Sequence, residues 1–94
     1  MASTLTVKGL DSLKFDATSY AADAGCIEFT YVNEGNVAHT LLVEGKPFEL
    51  AIGTTDVGTL ALDPGTYTLY CDVAGHRAAG MEAELTVTAA TSSG

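Results

Sequence analysis

The chain has 94 residues, of which 47% are hydrophobic, and its formal net charge at pH 7 is −8. This length predicts one small domain with a core of modest size. The acidic charge argues against nucleic acid or an anionic membrane surface as a partner. The sequence has no apolar run of about 18 residues that could span a bilayer, and its first residues lack the basic and apolar regions of a signal peptide.

Short segments with the character of β-strands follow one another along the chain. They run from 4 to 8, 14 to 19, 26 to 31, 39 to 44, 57 to 62, 66 to 70 and 82 to 88. The run 39–44 is apolar enough to predict burial on both faces, whereas 48–53 is ambiguous and allows a short helical turn. Seven or eight short strands at this spacing predict an all-β Greek-key β-sandwich. We expect one domain over 1–94, with an ordered core over about 4–89 and a flexible tail over 90–94.

Cys26 lies within one of these predicted strands, and its position in the alternation predicts its exposure. Ile27, Phe29 and Tyr31 share one strand face, so Cys26 belongs to the other face with Glu28. We therefore expect at least partial exposure of this thiol. It is either an incidental free thiol on a monomer or a group that can link two chains into a disulfide-bonded dimer.

The residues with the most informative chemistry lie between Cys71 and Met81. This stretch contains Cys71, His76 and Met81, and the second histidine of the chain, His39, lies far upstream. Two imidazoles, one thiolate and a weak axial thioether are the ligand set of a blue-copper electron-transfer site. Soft sulfur favours Cu(I) and imidazole suits Cu(II), so the set fits an ion that alternates between the two states. We predict one copper ion per chain, bound by these four residues.

Each predicted ligand also has an ordinary structural interpretation. Cys71 could be a small buried hydrophobe, Met81 could fill a gap in the core, and His39 could be a buried core histidine. Cys71 and His76 could form a nucleophilic pair, although the sequence offers no clear third residue to orient the imidazole. Zinc would bind the two histidines and the cysteine well but the thioether poorly. A metal-free interaction module is the remaining alternative.

The stretch from Tyr70 to Met81 resembles the copper loop of cupredoxins, the type 1 blue-copper proteins. Its gaps of four residues between Cys71 and His76, and again between His76 and Met81, are similar to those of auracyanin-like and halocyanin-like bacterial proteins. Plastocyanin has a shorter first gap. The segment 33–41 resembles the one that carries the first histidine of the family. The resemblance covers about residues 5–88 and implies the cupredoxin-like sandwich.

The resemblance also implies which residues surround the ligands. We expect Asn33, Thr40 and Asp72 close to them, with the backbone N–H of Thr40 donating to the Cys71 sulfur and tuning the potential. Many relatives have an asparagine at the position of Thr40, and its side chain ties the two ligand loops together. Threonine is shorter, so we expect this connection, if formed, to reach Asp72.

The function implied by the resemblance is one-electron transfer between redox proteins, without enzymatic activity or a small-molecule substrate. A cytochrome c or an oxidase would be a suitable partner, and the acidic charge would either steer a basic one or serve solubility alone, as in a halophilic source. The expected electron port is the edge of His76, surrounded by Val73, Ala74, Arg77, Ala78 and Ala79. Arg77 would either guide an acidic partner or pair with a nearby carboxylate. The family implies export to the periplasm or to the extracellular face of the membrane, with the signal or anchor absent from this chain. The alternative is a copper-binding or copper-delivery protein with the same ligands.

Overall fold

The computed structural model describes residues 3–52 and 55–89, and within these ranges it has nine β-strands. They are β1 (Ser3–Leu10), β2 (Lys14–Phe15), β3 (Ser19–Asp23), β4 (Gly25–Asn33), β5 (His39–Val43), β6 (Glu49–Ile52), β7 (Thr55–Leu62), β8 (Gly65–Tyr70) and β9 (Glu82–Thr88). The strands form a four-stranded sheet, in the order β2-β1-β4-β7, and a five-stranded sheet, in the order β3-β9-β8-β5-β6. The predicted β-sandwich is confirmed, with more strands than the seven or eight expected.

Each sheet contains one parallel pair among antiparallel ones. Strand β1 pairs with β4 in parallel, with Leu5 opposite Phe29, and β3 pairs with β9 in parallel, with Tyr20 opposite Leu85. Parallel neighbours require a long crossover, so strands distant in sequence become adjacent. Strand β8 lies between β9 and β5, and its last residue, Tyr70, is opposite Leu42 of β5. The chain that follows β8 therefore runs alongside the first residues of β5, where Asp72 is bonded to Thr40.

The prediction of one continuous strand over 14–19 is wrong. Strand β2 ends at Phe15, and the chain crosses to the other sheet before β3 begins at Ser19. Asp16 accounts for this change of direction, because its N–H donates to the carbonyl of Lys8 at 2.9 Å and its carboxylate accepts the N–H of Lys8 at 3.1 Å. These bonds hold the chain beside β1 at the point where it leaves the first sheet.

Two further strand predictions are corrected around β5. Leu41 and Val43 are buried, but Thr40 and Leu42 are only half-buried, so β5 has one buried face instead of two. The ambiguous segment after Phe48 is a strand and not a helical turn, since β6 pairs with β5 in antiparallel fashion. Position 53, the end of that ambiguous segment, lies outside the described residues.

The core lies between the two sheets and consists mainly of inward-facing aliphatic and aromatic side chains. Phe15 and Tyr31 meet edge to face with ring centroids 6.0 Å apart, and Phe29 lies 4.9 Å from Phe48. Complete burial of such side chains contributes about 1.5–3 kcal/mol each. The described residues contain no helix long and apolar enough to cross a membrane.

The exposure predicted for Cys26 is confirmed. Cys26 lies opposite Ala61 in the pairing of β4 with β7, and both side chains are exposed on the outer face of the four-stranded sheet. Neither cysteine forms a disulfide within the described part of the chain. The predicted tail over 90–94 lies outside the described residues.

Candidate metal centre

The loop from Cys71 to Met81 connects two adjacent antiparallel strands, β8 and β9. Tyr70 and Glu82 face each other in the register of this pair, and the N–H of Cys71 donates to the carbonyl of Met81 at 3.2 Å. The two ends of the loop are therefore fixed against each other. A rigid pair of strands thus positions the residues that the loop carries.

Backbone hydrogen bonds fold the interior of this loop into consecutive turns. The N–H of His76 donates to Val73 at 2.9 Å, and the N–H of Met81 donates to the carbonyl of His76 at 3.0 Å. Gly75 and Gly80 have φ angles of 84° and 115°, which side chains other than glycine rarely adopt. These two glycines allow the chain to reverse on either side of His76, so the imidazole turns inward.

His39 is the first residue of β5, and its side chain is buried. The segment before it is held by Asp11, whose carboxylate accepts the N–H groups of Asn36 and Val37 at 2.9 and 3.0 Å. Asn33 closes the same segment, because its amide donates to the carbonyl of Val37 at 2.7 Å. These contacts fix the approach of the chain to His39.

The structure brings three of the predicted ligands together in one buried cluster. Ligand atoms of His39, Cys71 and His76 all lie within 4.8 Å of one another. The Nδ1 atoms of the two histidines are 3.2 Å apart, and the Cys71 Sγ atom is 3.6 Å from Nδ1 of His76. Such convergence of two imidazole nitrogens and one sulfur is the donor arrangement that soft and borderline metals require.

Burial favours the neutral form of the His39 imidazole. Its pKa is lowered from the ordinary value, first by burial and then by the nearby His76. Metal ligands must be deprotonated, so a neutral imidazole is the competent form. The Nε2 atom of His39 is buried without a hydrogen-bond partner among the described residues, although the backbone of Leu10 lies near the ring.

Tyr31 is a second buried polar group near this cluster. Its hydroxyl has no hydrogen-bond partner among the described residues, and its pKa is raised by burial and by the proximity of Cys71. The hydroxyl and the His39 ring both lie close to the backbone of Gly9, where a β-carbon on Gly9 would come within 3.2 Å of the His39 ring. Glycine at this position leaves room for both side chains.

The sulfur of Cys71 receives a hydrogen bond from the neighbouring strand. The N–H of Thr40 donates to Sγ at 3.3 Å, which is the contact expected from the sequence. The Thr40 side chain also reaches Asp72, because its hydroxyl donates to the carboxylate at 2.7 Å and accepts the N–H of Asp72 at 2.9 Å. The expected connection between the two ligand segments is therefore present despite the shortness of threonine.

Met81 and Asn33 are the two other residues predicted for the site, and the structure places them differently. Met81 is completely buried at the end of the ligand loop, and its role as axial ligand stays a prediction. Asn33 is bonded to Gly35 and Val37 in the segment before His39, and no hydrogen bond joins it to a ligand within the described residues. Its contribution is to hold that segment.

The surface above the cluster is mainly apolar. His76 is the least deeply buried of the three cluster residues, with 9% of its surface exposed. Val73 is half-buried, and the residues Ala74, Ala78 and Ala79 are exposed around it. A shallow depression of about 550 Å³ lies over this side of the loop, between Tyr70 and Ala78. We refer to Val73, Ala74, Ala78, Ala79 and the exposed part of His76 as the loop patch.

Arg77 at the rim of the loop patch is engaged by two carboxylates. Its Nε donates to Glu82 at 2.6 Å and its Nη2 to Glu44 at 3.2 Å, and the guanidinium lies 4.3 Å from the Tyr70 ring centroid. The carboxylates raise the Arg77 pKa above its ordinary value. Of the two roles considered from the sequence, the structure therefore has Arg77 paired with carboxylates.

Sequence reasoning missed several residues that organise this site. Asp11 is one of twelve acidic residues spread along the sequence, and an aspartate in a turn does not reveal which distant N–H groups it accepts. Glu44 and Glu82 were not assigned as partners of Arg77, since they lie in separate elements, a turn and a strand. The alternation of β4 marked Tyr31 as a core residue, but nothing in the sequence marked its hydroxyl as unpaired.

The donor set of the cluster fits a single copper ion. Two neutral imidazoles and a thiolate bind Cu(I) and Cu(II) well, and a buried thioether follows at the end of the same loop. Zinc would bind the same three residues, but a structural zinc site is normally closed by a fourth Cys, His or carboxylate. Within the described residues, His39, Cys71 and His76 form the one group of three such donors close enough to share an ion.

Comparison with known proteins yields similarity at the level of structure. No protein-family model and no curated protein sequence matches the chain. Dithionite-reduced auracyanin from the photosynthetic bacterium Roseiflexus castenholzii is similar to it with a TM-score of 0.75 and 20% identity, over 89% of this chain and 95% of that one. Auracyanin B is similar with a TM-score of 0.73 and 23% identity, over 93% and 89% of the two chains.

A third similar structure comes from a heme-copper terminal oxidase dimer. Its TM-score is 0.70 at 20% identity, and the match covers 87% of this chain but 62% of the oxidase chain. The sequence identities are low, so these likenesses concern the fold, while the case for the metal rests on the donor cluster itself. The chain thus has the cupredoxin fold, with a buried His-Cys-His cluster that suits one copper ion.

Proposed function

We propose that this protein is a mononuclear type 1 copper electron carrier. The observation that supports this most strongly is the buried convergence of His39 Nδ1, His76 Nδ1 and Cys71 Sγ within 4.8 Å. A copper ion held there would accept and release one electron. In this proposal Met81 would supply a weak thioether ligand, and the turns that link its N–H to His76 keep it close to the cluster.

The contribution of the protein in this proposal is to hold the donors in nearly the same positions in both redox states. His39 is fixed at the start of a paired strand, and Cys71 follows the end of another. Thr40 connects the two through its contacts with Cys71 and Asp72. Donors fixed on paired strands need little rearrangement when the charge changes, which favours fast transfer.

We propose the loop patch as the route for electrons to and from a partner protein. His76 combines an Nδ1 atom in the cluster with an exposed portion, so it joins the metal site to the surface. The small side chains around it allow close approach of another surface, which shortens the transfer distance. Arg77 is already paired with Glu44 and Glu82, so we expect it to steady the loop more than to attract an acidic partner.

The proposed partner is a redox protein, such as a cytochrome c or an oxidase, with a basic surface. The formal charge of −8 favours encounter with a basic partner. The likeness to a chain of a heme-copper terminal oxidase dimer makes an oxidase a reasonable candidate. We further propose that the protein acts outside the cytoplasm and catalyses no reaction of its own.

The decisive experiment is a titration of the reduced, metal-free protein with Cu(II), followed by visible absorption. An intense blue or blue-green band that saturates at one copper per chain and bleaches with ascorbate is the expected result. Weak bands alone would contradict thiolate ligation and return the zinc and metal-free interpretations to consideration.

The control for this titration is Cys71→Ser. The variant retains the side-chain size and both histidines, so the fold should persist, as judged by circular dichroism, while the intense band is lost. Cys26→Ser should leave the band unchanged, since Cys26 is exposed on the opposite sheet. Reversible voltammetry then separates a carrier from a copper-delivery protein, which would release Cu(I) readily to a chelator.

A further inference from the structure

The hydroxyl group of Thr40 lies between two acceptors that compete for its proton. Its Oγ1 atom is 2.7 Å from Oδ1 of Asp72 and 3.5 Å from Sγ of Cys71. The same oxygen accepts the N–H of Asp72 at 2.9 Å. A threonine hydroxyl has a single proton, so it can donate to the carboxylate or to the sulfur, but not fully to both.

Distance and charge assign this proton to Asp72. A separation of 2.7 Å is typical of a charge-assisted bond between a hydroxyl and a carboxylate. The contact with sulfur at 3.5 Å is of ordinary length for this larger atom, but sulfur is a weaker hydrogen-bond acceptor than a carboxylate oxygen. The sulfur therefore keeps the backbone N–H of Thr40 as its donor, at 3.3 Å, and receives little from the hydroxyl.

We propose that Asp72 is a positioning residue that withholds the Thr40 hydroxyl proton from the Cys71 sulfur and so lowers the reduction potential of the bound copper. This inference rests on the proposed function. Hydrogen bonds to the thiolate withdraw electron density from sulfur and favour Cu(I), so one fewer such bond favours Cu(II). Without the carboxylate, the hydroxyl would rotate toward the sulfur, which is already within hydrogen-bond reach.

A double-mutant cycle on the copper-loaded protein tests this assignment. The potentials of wild type, Asp72→Ala, Thr40→Val and the double variant are measured by voltammetry at one ionic strength. Loss of the Asp72 charge raises the potential in both backgrounds through Coulomb's law, but a proton becomes free only where Thr40 is present. We expect Asp72→Ala to raise the potential by more in the background with Thr40 than in the Thr40→Val background. The expected excess is about 59 mV, which for one electron is about a tenfold change in the reduction equilibrium constant. Equal shifts in the two backgrounds would overturn the proposal.

Two further variants keep the test decisive. Thr40→Ser retains the hydroxyl and should restore the excess shift that Thr40→Val abolishes, whereas a purely steric role of threonine predicts no such rescue. If Asp72→Ala loses copper, Asp72→Asn takes its place, because the amide oxygen is a weaker acceptor in a side chain of the same shape. The excess should then be smaller but of the same sign, and its absence refutes the inference.

A spectroscopic measurement distinguishes a sulfur bond from a general change in charge. The frequency of the copper–sulfur stretch in resonance Raman spectra should shift on exchange into D₂O by more in Asp72→Ala than in wild type. When Thr40 is replaced by valine, Asp72→Ala should no longer increase this shift. Cadmium NMR of the cadmium-substituted proteins gives the same comparison without redox chemistry. If the protein gave no intense thiolate band with copper, the proposed function itself would fail. An intense band together with additive effects of the Asp72 and Thr40 substitutions on the potential would overturn this inference alone.

Discussion

Tyr31→Phe, which removes only the hydroxyl oxygen, should stabilise the protein. The Tyr31 hydroxyl is buried without a hydrogen-bond partner among the described residues, and the ring meets Phe15 edge to face. Burial of an unpaired polar group costs about 1–3 kcal/mol. Removing the oxygen relieves that cost but leaves a small void beside Gly9, which offsets part of the gain.

We expect the free energy of unfolding to rise by about 1 kcal/mol, which for a domain of this size is about 4–8 °C in Tm. Urea unfolding of the metal-free protein under reducing conditions, followed by far-UV circular dichroism, measures it. Tyr67→Phe is the matched control, because the Tyr67 hydroxyl donates to the carbonyl of Asp63 at 2.6 Å. The control should lose about 0.5–1.5 kcal/mol. A comparable loss in Tyr31→Phe would refute the reasoning and require a partner for its hydroxyl.

Three further changes probe the site and its support. Met81→Leu should retain copper and raise the potential, because a weak donor to Cu(II) is lost; an unchanged potential by voltammetry would mean that Met81 is not axial. The metal-free protein should lose stability as the pH falls below about 6.5, because the unfolded chain then binds a proton that His39, with its lowered pKa, resists. His39→Gln should flatten the pH profile of urea unfolding, and an unaltered slope would exclude His39 as its source. Asp11→Ala should cost about 1 kcal/mol in unfolding free energy by removing the acceptor of two N–H groups, and a neutral result would make that contact dispensable.

The sequence was sufficient to predict the fold class and the three candidate donors that the structure brings together, because both predictions depend largely on local patterns. Alternation placed Ile27 and Phe29 in the core and Cys26 on the surface, as the structure has them. The spacing of Cys71 and His76 within one loop indicated a pair of candidate donors. His39 could be added because a copper site needs a second imidazole and the chain offers no other.

The remaining features depend on contacts between distant segments. The crossing from β2 to β3 is fixed by the hydrogen bonds of Asp16 to the backbone of Lys8. Residues 49–52 form a strand because they pair with β5. Neither partner can be read from local periodicity. The same holds for Asp11, whose acceptor role requires a segment that arrives much later in the chain. Local sequence therefore predicts which residues carry chemistry, but the structure is needed to show which residues hold them.

The placement of three predicted donors in a single loop has a consequence for assembly. Cys71, His76 and Met81 are close in sequence, so a chain that has not yet folded can already hold copper through them, while His39 joins only when β5 pairs with β8. Affinity for the unfolded chain subtracts from the stabilisation that a ligand gives the native state. Copper should therefore raise the melting temperature by less than the affinity of the finished site implies.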